Sequence, residues 1–408
     1  MARLSVVDEI FLRGHRDLGT PSALQGLWRT DDPVDRELLE RIHAALRIGP
    51  LGRRVIRPRI PGARPYWRRN NSAHPLRIAG GAIAAADLPR WADDQGYDLD
   101  PEFGPGWRLS AAALREGGSV VVLTCSHALT DGRGLALAVD HALSGALITE
   151  YSAPQSDWAD ARAQWATVLS GTARALRRGV PETPGTVAGR RATELPSVGA
   201  VLQFPVADWD LAATGRGGTP NSLFLAVMAR LLWDSGFPDP HICAAVPVDT
   251  RDERRVDNDM AMTEVWIEPT DTPAGLREKC RAAYEYRISA PDGIPAEILQ
   301  ILPSRVAHQL SRGAGERDIL CSNIGTLPTS LTQLGPHRCT GVAARAIHPG
   351  LSPTALPRTR LSGYLCRIGH NYTLALVGLD PQRIGSSSTL SDLARAVFDR
   401  MEIPVTAW

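Results

Sequence analysis

The sequence predicts an α/β (α+β) protein built from two domains, and three observations carry that prediction. A chain of 408 residues is long for one hydrophobic core, so two domains of roughly 200 residues each are the natural division. Helical and strand periodicities alternate irregularly along the whole length, with no regular βαβ pattern and no internal repeat. A stretch at 177–196 is dominated by Arg, Pro, Gly and Thr and carries no apolar period. It reads as a linker between an N-terminal domain, 1–176, and a C-terminal domain, 197–408.

The helix signals come in order. Asp32-Pro33 reads as an N-cap followed by proline at the first helical position, with Val34, Leu38, Ile42 and Leu46 along one face. Thr219-Pro220 opens a second helix in the same way, with Leu223, Phe224, Val227 and Leu231 inward and Gly236 as its stop, and Thr272-Pro273 opens a third. A last helix is expected near Ser391, presenting Leu393, Val397 and Met401 to the core. Strands are expected at 119–124, 198–206, 242–248, 262–267, 318–323 and 341–347. Two more, 364–368 and 372–377, flank the polar turn Gly369-His370-Asn371 as a hairpin, and 349–360 is irregular and proline-rich.

Composition narrows the function classes. Hydrophobic residues at 43% and charged residues at 22% are those of an ordinary globular protein. A formal net charge of +1 gives no reason to expect nucleic acid or a membrane surface as partner. Cys125, Cys243, Cys280, Cys321, Cys339 and Cys366 are scattered, without a C-x-x-C pair, as expected of reduced thiols in a cytoplasmic enzyme. The N-terminus lacks the apolar core of a signal peptide, and no apolar stretch reaches the roughly 18 residues of a membrane span. The expectation is a cytoplasmic monomer without stable membrane insertion.

One segment carries chemistry: Ser126-His127-Ala128-Leu129-Thr130-Asp131-Gly132. It follows the β-branched run Val120-Val121-Val122-Leu123 and precedes a helical pattern of Leu135, Val139, Ala142, Leu143 and Ala146. A strand-to-loop-to-helix junction holds a side chain rigidly while the amides of the helix start remain free for negative charge. His127 is therefore the candidate general base, removing the proton from an attacking alcohol or amine. Cys125 is a competing nucleophile on the same side of the strand, although side chains two apart on a strand do not normally touch, which favours a core cysteine. Ser126 points the other way and is expected to bond local backbone. Asp131 reads as a turn-stabilising or helix-capping carboxylate. Arg254 and Arg255 read either as phosphate contacts or as solvated charges. The other nine histidines form no cluster of metal ligands and there is no nucleotide-binding glycine pattern, so neither a metal nor a tightly bound cofactor is expected.

Further soft motifs follow in a fixed order. Leu4-Ser5-Val6-Val7-Asp8-Glu9-Ile10-Phe11-Leu12 looks like the opening segment of wax ester synthases and diacylglycerol acyltransferases. Val246-Pro247-Val248-Asp249-Thr250-Arg251 is similar to a Pro-Val-x-x-Arg strand end, with Asn258 where a Gly-Asn is usual, and Cys321-Ser322-Asn323-Ile324-Gly325 is similar to a Ser-Asn-x-Gly segment. With His-x-x-x-Asp-Gly, these resemble the chloramphenicol acetyltransferase-like superfamily over nearly the whole chain. That group includes nonribosomal peptide condensation domains, plant acyl-CoA-dependent acyltransferases, mycobacterial polyketide-associated acyltransferases and wax ester synthases. Two departures stand out: Ser126 replaces the first of two adjacent histidines, and the Asp-Phe-Gly-Trp-Gly motif of the plant branch is absent.

The resemblance implies two chloramphenicol acetyltransferase-like αβ subdomains with mixed sheets and a central active-site tunnel. It implies an acyltransferase of bacterial secondary or lipid metabolism. The donor is a coenzyme A or phosphopantetheine thioester, on acyl-CoA or an acyl carrier protein, and the acceptor is a small-molecule hydroxyl or amine. His127 is the base, Gly132 permits close approach of the donor and offers its N–H to the oxyanion, and Ser322 and Asn323 are candidate oxyanion or tunnel contacts. Asp131 becomes a structural partner of Arg251, pinning the loop across the subdomain boundary. Two alternatives stay open: a condensation-type enzyme for carrier-bound aminoacyl groups, or the same fold put to another reaction; and a non-catalytic binding module.

Overall fold

A computed structural model describes residues 2–14, 21–149, 156–177, 198–285, 295–311, 316–351 and 356–408. The expected linker lies outside the described residues except for Arg177, as do residues 352–355 of the proline-rich stretch.

The first half runs α1 (Val6–Arg13), β1 (Ala23–Thr30), α2 (Arg36–Ile48), β2 (Arg53–Ile56), β3 (Tyr66–Arg69), β4 (Arg77–Ile78), α3 (Leu88–Asp93), β5 (Trp107–Ala113), β6 (Ser119–Ser126), α4 (Gly132–Ser144) and α5 (Asp157–Leu176). The second half continues with β7 (Val198–Pro205), α6 (Val206–Gly215), α7 (Pro220–Asp234), β8 (Ile242–Asp249), β9 (Met260–Ile267), α8 (Pro273–Glu285), α9 (Ile298–Ile301) and α10 (Ser304–Ser311). It ends with β10 (Ile319–Thr326), β11 (Gln333–Leu334), β12 (His337–Ile347), β13 (Leu361–Ile368), β14 (Asn371–Gly378), α11 (Ser387–Asp399) and β15 (Thr406–Ala407). Two mixed sheets dominate, one ordered β11-β12-β1-β6-β5-β4 and the other β15-β7-β14-β13-β10-β8-β9.

The sheets do not follow the two halves of the sequence. β12, from the second half, pairs antiparallel with β1 in the first sheet, in register Ala23↔Ile347 to Leu27↔Ala343, while β10 and β13 on either side of it in sequence belong to the second sheet. Residues 341–347 are all buried, Arg345 included, so this strand is covered on both faces. The second sheet shows the same demand by alternation. Leu361, Leu365, Leu374 and Leu376 join the core that holds α7 and α11, whereas Tyr364, Cys366, Ala375 and Val377 join the core of the first sheet.

Helix starts reflect local competition for backbone donors. Thr219 caps the helix that Pro220 opens, as the dipeptide predicts, and Ser222 closes a reciprocal capping box with it. The cap of α2 is Asp35 rather than Asp32: Asp35 Oδ1 accepts from Leu38 N–H at 2.7 Å, while the Asp32 carboxylate turns to His337 Nδ1 at 2.9 Å. The last helix begins at Ser387, a turn before Ser391, because Ser386 Oγ accepts from Thr389 N–H. Its buried face is consequently Leu390, Ala394, Val397 and Phe398, with Leu393 and Met401 only half-buried. Among the described residues no helix is long and apolar enough to cross a membrane.

Candidate active site

β6 lies between β1 and β5, its eight residues all buried, and delivers His127 at its end. The His127 N–H donates to Ser22 O at 3.0 Å, continuing the ladder with β1 by one residue. On the other side, Asn258 Nδ2 donates to the His127 carbonyl at 2.9 Å. The half-buried imidazole stacks on the Phe11 ring, with centroids 3.7 Å apart and planes 13° from parallel. Backbone and ring are thus held by different elements.

Asp131 both caps a helix, as its sequence context suggests, and pairs with Arg251, as the family resemblance implies. As N-cap of α4 its Oδ1 accepts from Gly134 N–H at 2.8 Å, and Arg251 Nη2 lies 2.7 Å from both carboxylate oxygens. Burial pushes the Asp131 carboxyl up, and the Arg251 charge pulls it back. Arg251 follows β8 of the second sheet, so the pair ties the loop after β6 to the other sheet. Its remaining donors are engaged as well: Nη1 on Asp249 at 2.9 Å, Nε on Arg255 O at 3.0 Å, and Nη2 on Asp257 O.

Gly132 opens α4 against β10. A Cβ there would meet Ile324 Cδ1 at 3.1 Å. Ile324 is the extra residue of a β-bulge, since the β10–β13 register passes from Asn323↔Leu365 to Gly325↔Cys366; a bulge re-aims its side chain. Ser322 is half-buried on the same strand. The exposed Asn323 donates to Asn221 Oδ1 at 3.1 Å and accepts from Gly325 N–H at 3.0 Å. It helps line a cavity of about 610 Å³ with Val246, Val248, Asp249 and Tyr284, and His127 is not among the cavity walls.

The remaining candidates are tied up elsewhere. Cys125 is fully buried, and burial pushes its thiol far up, away from the thiolate a nucleophile requires. Ser126 is also fully buried, its Oγ accepting from Ala128 N–H at 3.2 Å. Arg254 pairs with Asp140 on α4, and Arg255 with Asp252 and Asp259. Among the described residues no group of three or more His, Cys, Asp and Glu could hold a metal ion.

No protein-family model and no curated protein matches the sequence. Solved structures do match over nearly the full length. The first condensation domain of the CDA synthetase superposes with a TM-score of 0.59 at 16% identity, covering 99% of this chain and 98% of that one. The wax ester synthase/diacylglycerol acyltransferase from Marinobacter aquaeolei VT8 gives 0.59 at 14% identity, covering 98% and 99%. The starter condensation domain of rhizomide synthetase RzmA, solved with C8-CoA and Leu-SNAC, gives 0.57 at 13% identity, covering 98% and 93%. The chain has the chloramphenicol acetyltransferase-like fold of condensation domains and wax ester synthases.

Within this condensation-type fold, three residues beside His127 escape a sequence reading that looks for reactive groups. Arg53 on β2 donates to Leu129 O, to Val256 O and to Asp257 Oδ1 at 2.9 Å, with its guanidinium 4.4 Å over the Trp67 ring. Asn258 is assigned a soft motif by sequence and proves to be a buried bridge from His127 O to Asp8 Oδ1, 2.7 Å away. Phe11 is one apolar residue of the opening segment Leu4 to Leu12 and carries no reactive group. Its sequence signal is its place in that segment, three residues after Asp8, which gives it no role.

Proposed function

We propose that this condensation-type chain is an acyltransferase that moves an acyl group from a thioester to a hydroxyl or amine, with His127 as general base. The observation that carries the reading is the way His127 is held: backbone by Ser22 and Asn258, ring by Phe11, at the mouth of the Asp131-capped helix. In the reaction, the imidazole takes the proton of the acceptor as its oxygen or nitrogen attacks the thioester carbonyl, a role worth roughly 100- to 10,000-fold. The tetrahedral oxyanion lies near the start of α4, where first-turn amides such as Gly132 N–H have no intrahelical acceptor. Ser322 on the facing strand is a second candidate donor. Collapse expels the thiolate, which takes the proton back from His127, and no covalent intermediate on the protein is required.

A coenzyme A donor is in keeping with the rhizomide domain solved with C8-CoA. The likeness to the CDA condensation domain favours the second reading, in which donor and acceptor are both carrier-bound and the acceptor is an aminoacyl group. Thiol release separates these. Purified protein is incubated with acyl-CoA or acyl-carrier donors and with small-molecule or aminoacyl-carrier acceptors. His127→Ala is expected to abolish turnover; release at the wild-type rate by that variant would remove His127 from the chemistry.

A further inference from the structure

We propose that α1 is a positioning clamp for His127, and that Phe11 is the residue through which it sets the plane of the imidazole. The inference rests on His127 being the base of the proposed reaction. Asp8 and Phe11 are three apart on α1 and so share one face. Through Asn258, Asp8 reaches the His127 carbonyl; through its own ring, Phe11 reaches the imidazole. One helical turn therefore fixes both ends of the same residue.

Asp8 is equipped for this. One carboxylate oxygen, Oδ2, accepts from Ser5 N–H at 2.8 Å and closes the capping box of α1, leaving Oδ1 for Asn258 at 2.7 Å. The helix itself is seated on α9: Gln300 Nε2 donates to Leu4 O and to Glu9 Oε1, both at 3.1 Å, and Arg13 donates to Leu299 O at 2.6 Å. A near-parallel ring at 3.7 Å leaves an imidazole few orientations about its last side-chain bond. Fixing that angle keeps the basic nitrogen on the line of the acceptor's proton, and displacement of a reacting group by about 1 Å costs on the order of 100-fold.

Phe11→Leu and Phe11→Met keep the volume apolar and remove the stack; Phe11→Tyr keeps it. With matched melting temperatures, the first two are expected to lower kcat by about 10- to 100-fold and leave KM for the thioester within about twofold, and Phe11→Tyr restores kcat. A second readout is independent of turnover. With 13C-labelled histidine, the His127 Cε1–H resonance, assigned by its loss in His127→Ala, moves downfield in Phe11→Leu and Phe11→Met as the ring current disappears, and stays in place in Phe11→Tyr. A raised KM with unchanged kcat makes Phe11 a wall of the substrate site and overturns the clamp, as does a resonance that ignores the loss of the ring. Wild-type turnover in His127→Ala with the resonance shifts intact defeats the proposed function instead.

Discussion

A single guanidinium nitrogen, Arg251 Nη2, sits 2.7 Å from each carboxylate oxygen of Asp131, and the same carboxylate caps α4 at Gly134 N–H. Both side chains are buried, at 6% and 7% exposure, so removing one strands the other's charge. Arg251→Ala is expected to destabilise the protein by about 3–5 kcal/mol, read as a fall in urea midpoint. Arg251→Lys keeps the charge and loses the fork that also reaches Asp249, Arg255 O and Asp257 O, so its midpoint falls between wild type and Arg251→Ala. A large loss of turnover in Asp131→Asn at an unchanged melting temperature would show that the pair acts on substrate and not as a brace.

Gly132 and Gly134 are two residues apart and predict opposite phenotypes. A Cβ on Gly132 meets the Ile324 side chain, at 3.1 Å from Cδ1 and 3.3 Å from Cγ1, and a side chain can shift where backbone cannot. On Gly134 it meets Thr130 Oγ1 at 2.2 Å, and Arg251 Nη2 and Asp257 O at 3.2 Å. Gly134→Ala is therefore expected to lower the melting temperature, with an overpacking cost of about 1–3 kcal/mol. Gly132→Ala is expected to keep the melting temperature and lose turnover. The double variant Gly132→Ala/Ile324→Val, which shortens the obstructing side chain, recovers part of that loss. Equal thermal shifts in the two single variants would contradict this assignment.

Asn258 bridges two buried acceptors with one amide nitrogen. Asn258→Ala leaves the Asp8 carboxylate without its bridge, and a stranded buried acceptor costs about 1–3 kcal/mol. Burial already pushes the Asp8 carboxyl up, with the Asn258 hydrogen bond the main pull in the other direction. Asn258→Asp, which sets a second carboxylate against the first, is expected to lose stability relative to Asn258→Ala as pH rises, despite its closer shape. Chemical denaturation of both variants at pH 5 and pH 8 decides this. An Asn258→Asp protein as stable as wild type at pH 8 would mean that Asp8 is protonated throughout.

What the sequence makes legible is what nearby residues determine. Thr219-Pro220 announces α7 because cap and donor lie within one turn, and the His127 loop is legible because strand, loop and helix follow one another without a gap. β1 is not, because Gln25 and Gly26 interrupt its apolar run. Gln25 is fully buried all the same, accepting from Arg345 Nε at 3.0 Å across 320 residues of sequence. Asp32-Pro33 reads as a helix start, yet the Asp32 carboxylate is turned to His337, 305 residues away, and Asp35 takes the cap. Nor does anything local in β12 say which sheet it joins. The site follows the same rule: the proposed base, His127, is found by its neighbours in sequence, whereas what Phe11, Arg53 and Asn258 do is found only by their neighbours in space.

Arg345 also sets up a pH signature. It is 1% exposed and donates to Asp93, Gln25 and Pro89 O, so the Asp93–Arg345 pair lies deep between the first sheet and α3. Burial pushes the Asp93 carboxyl up to about 6, with the Arg345 charge pulling the other way. Between the ordinary aspartate value near 3.9 and about 6, the native chain then holds a proton that the unfolded chain has released. The stability linked to that proton is complete below the unfolded value and is lost as pH rises through the folded one, for a total of about 2–3 kcal/mol. Asp93→Asn cannot take part. The difference in unfolding free energy, wild type minus Asp93→Asn, is expected to fall between pH 4 and pH 6 and to level off above pH 7. A difference that rises over the same interval would mean that Arg345 outweighs burial and that Asp93 is ionised well below pH 4.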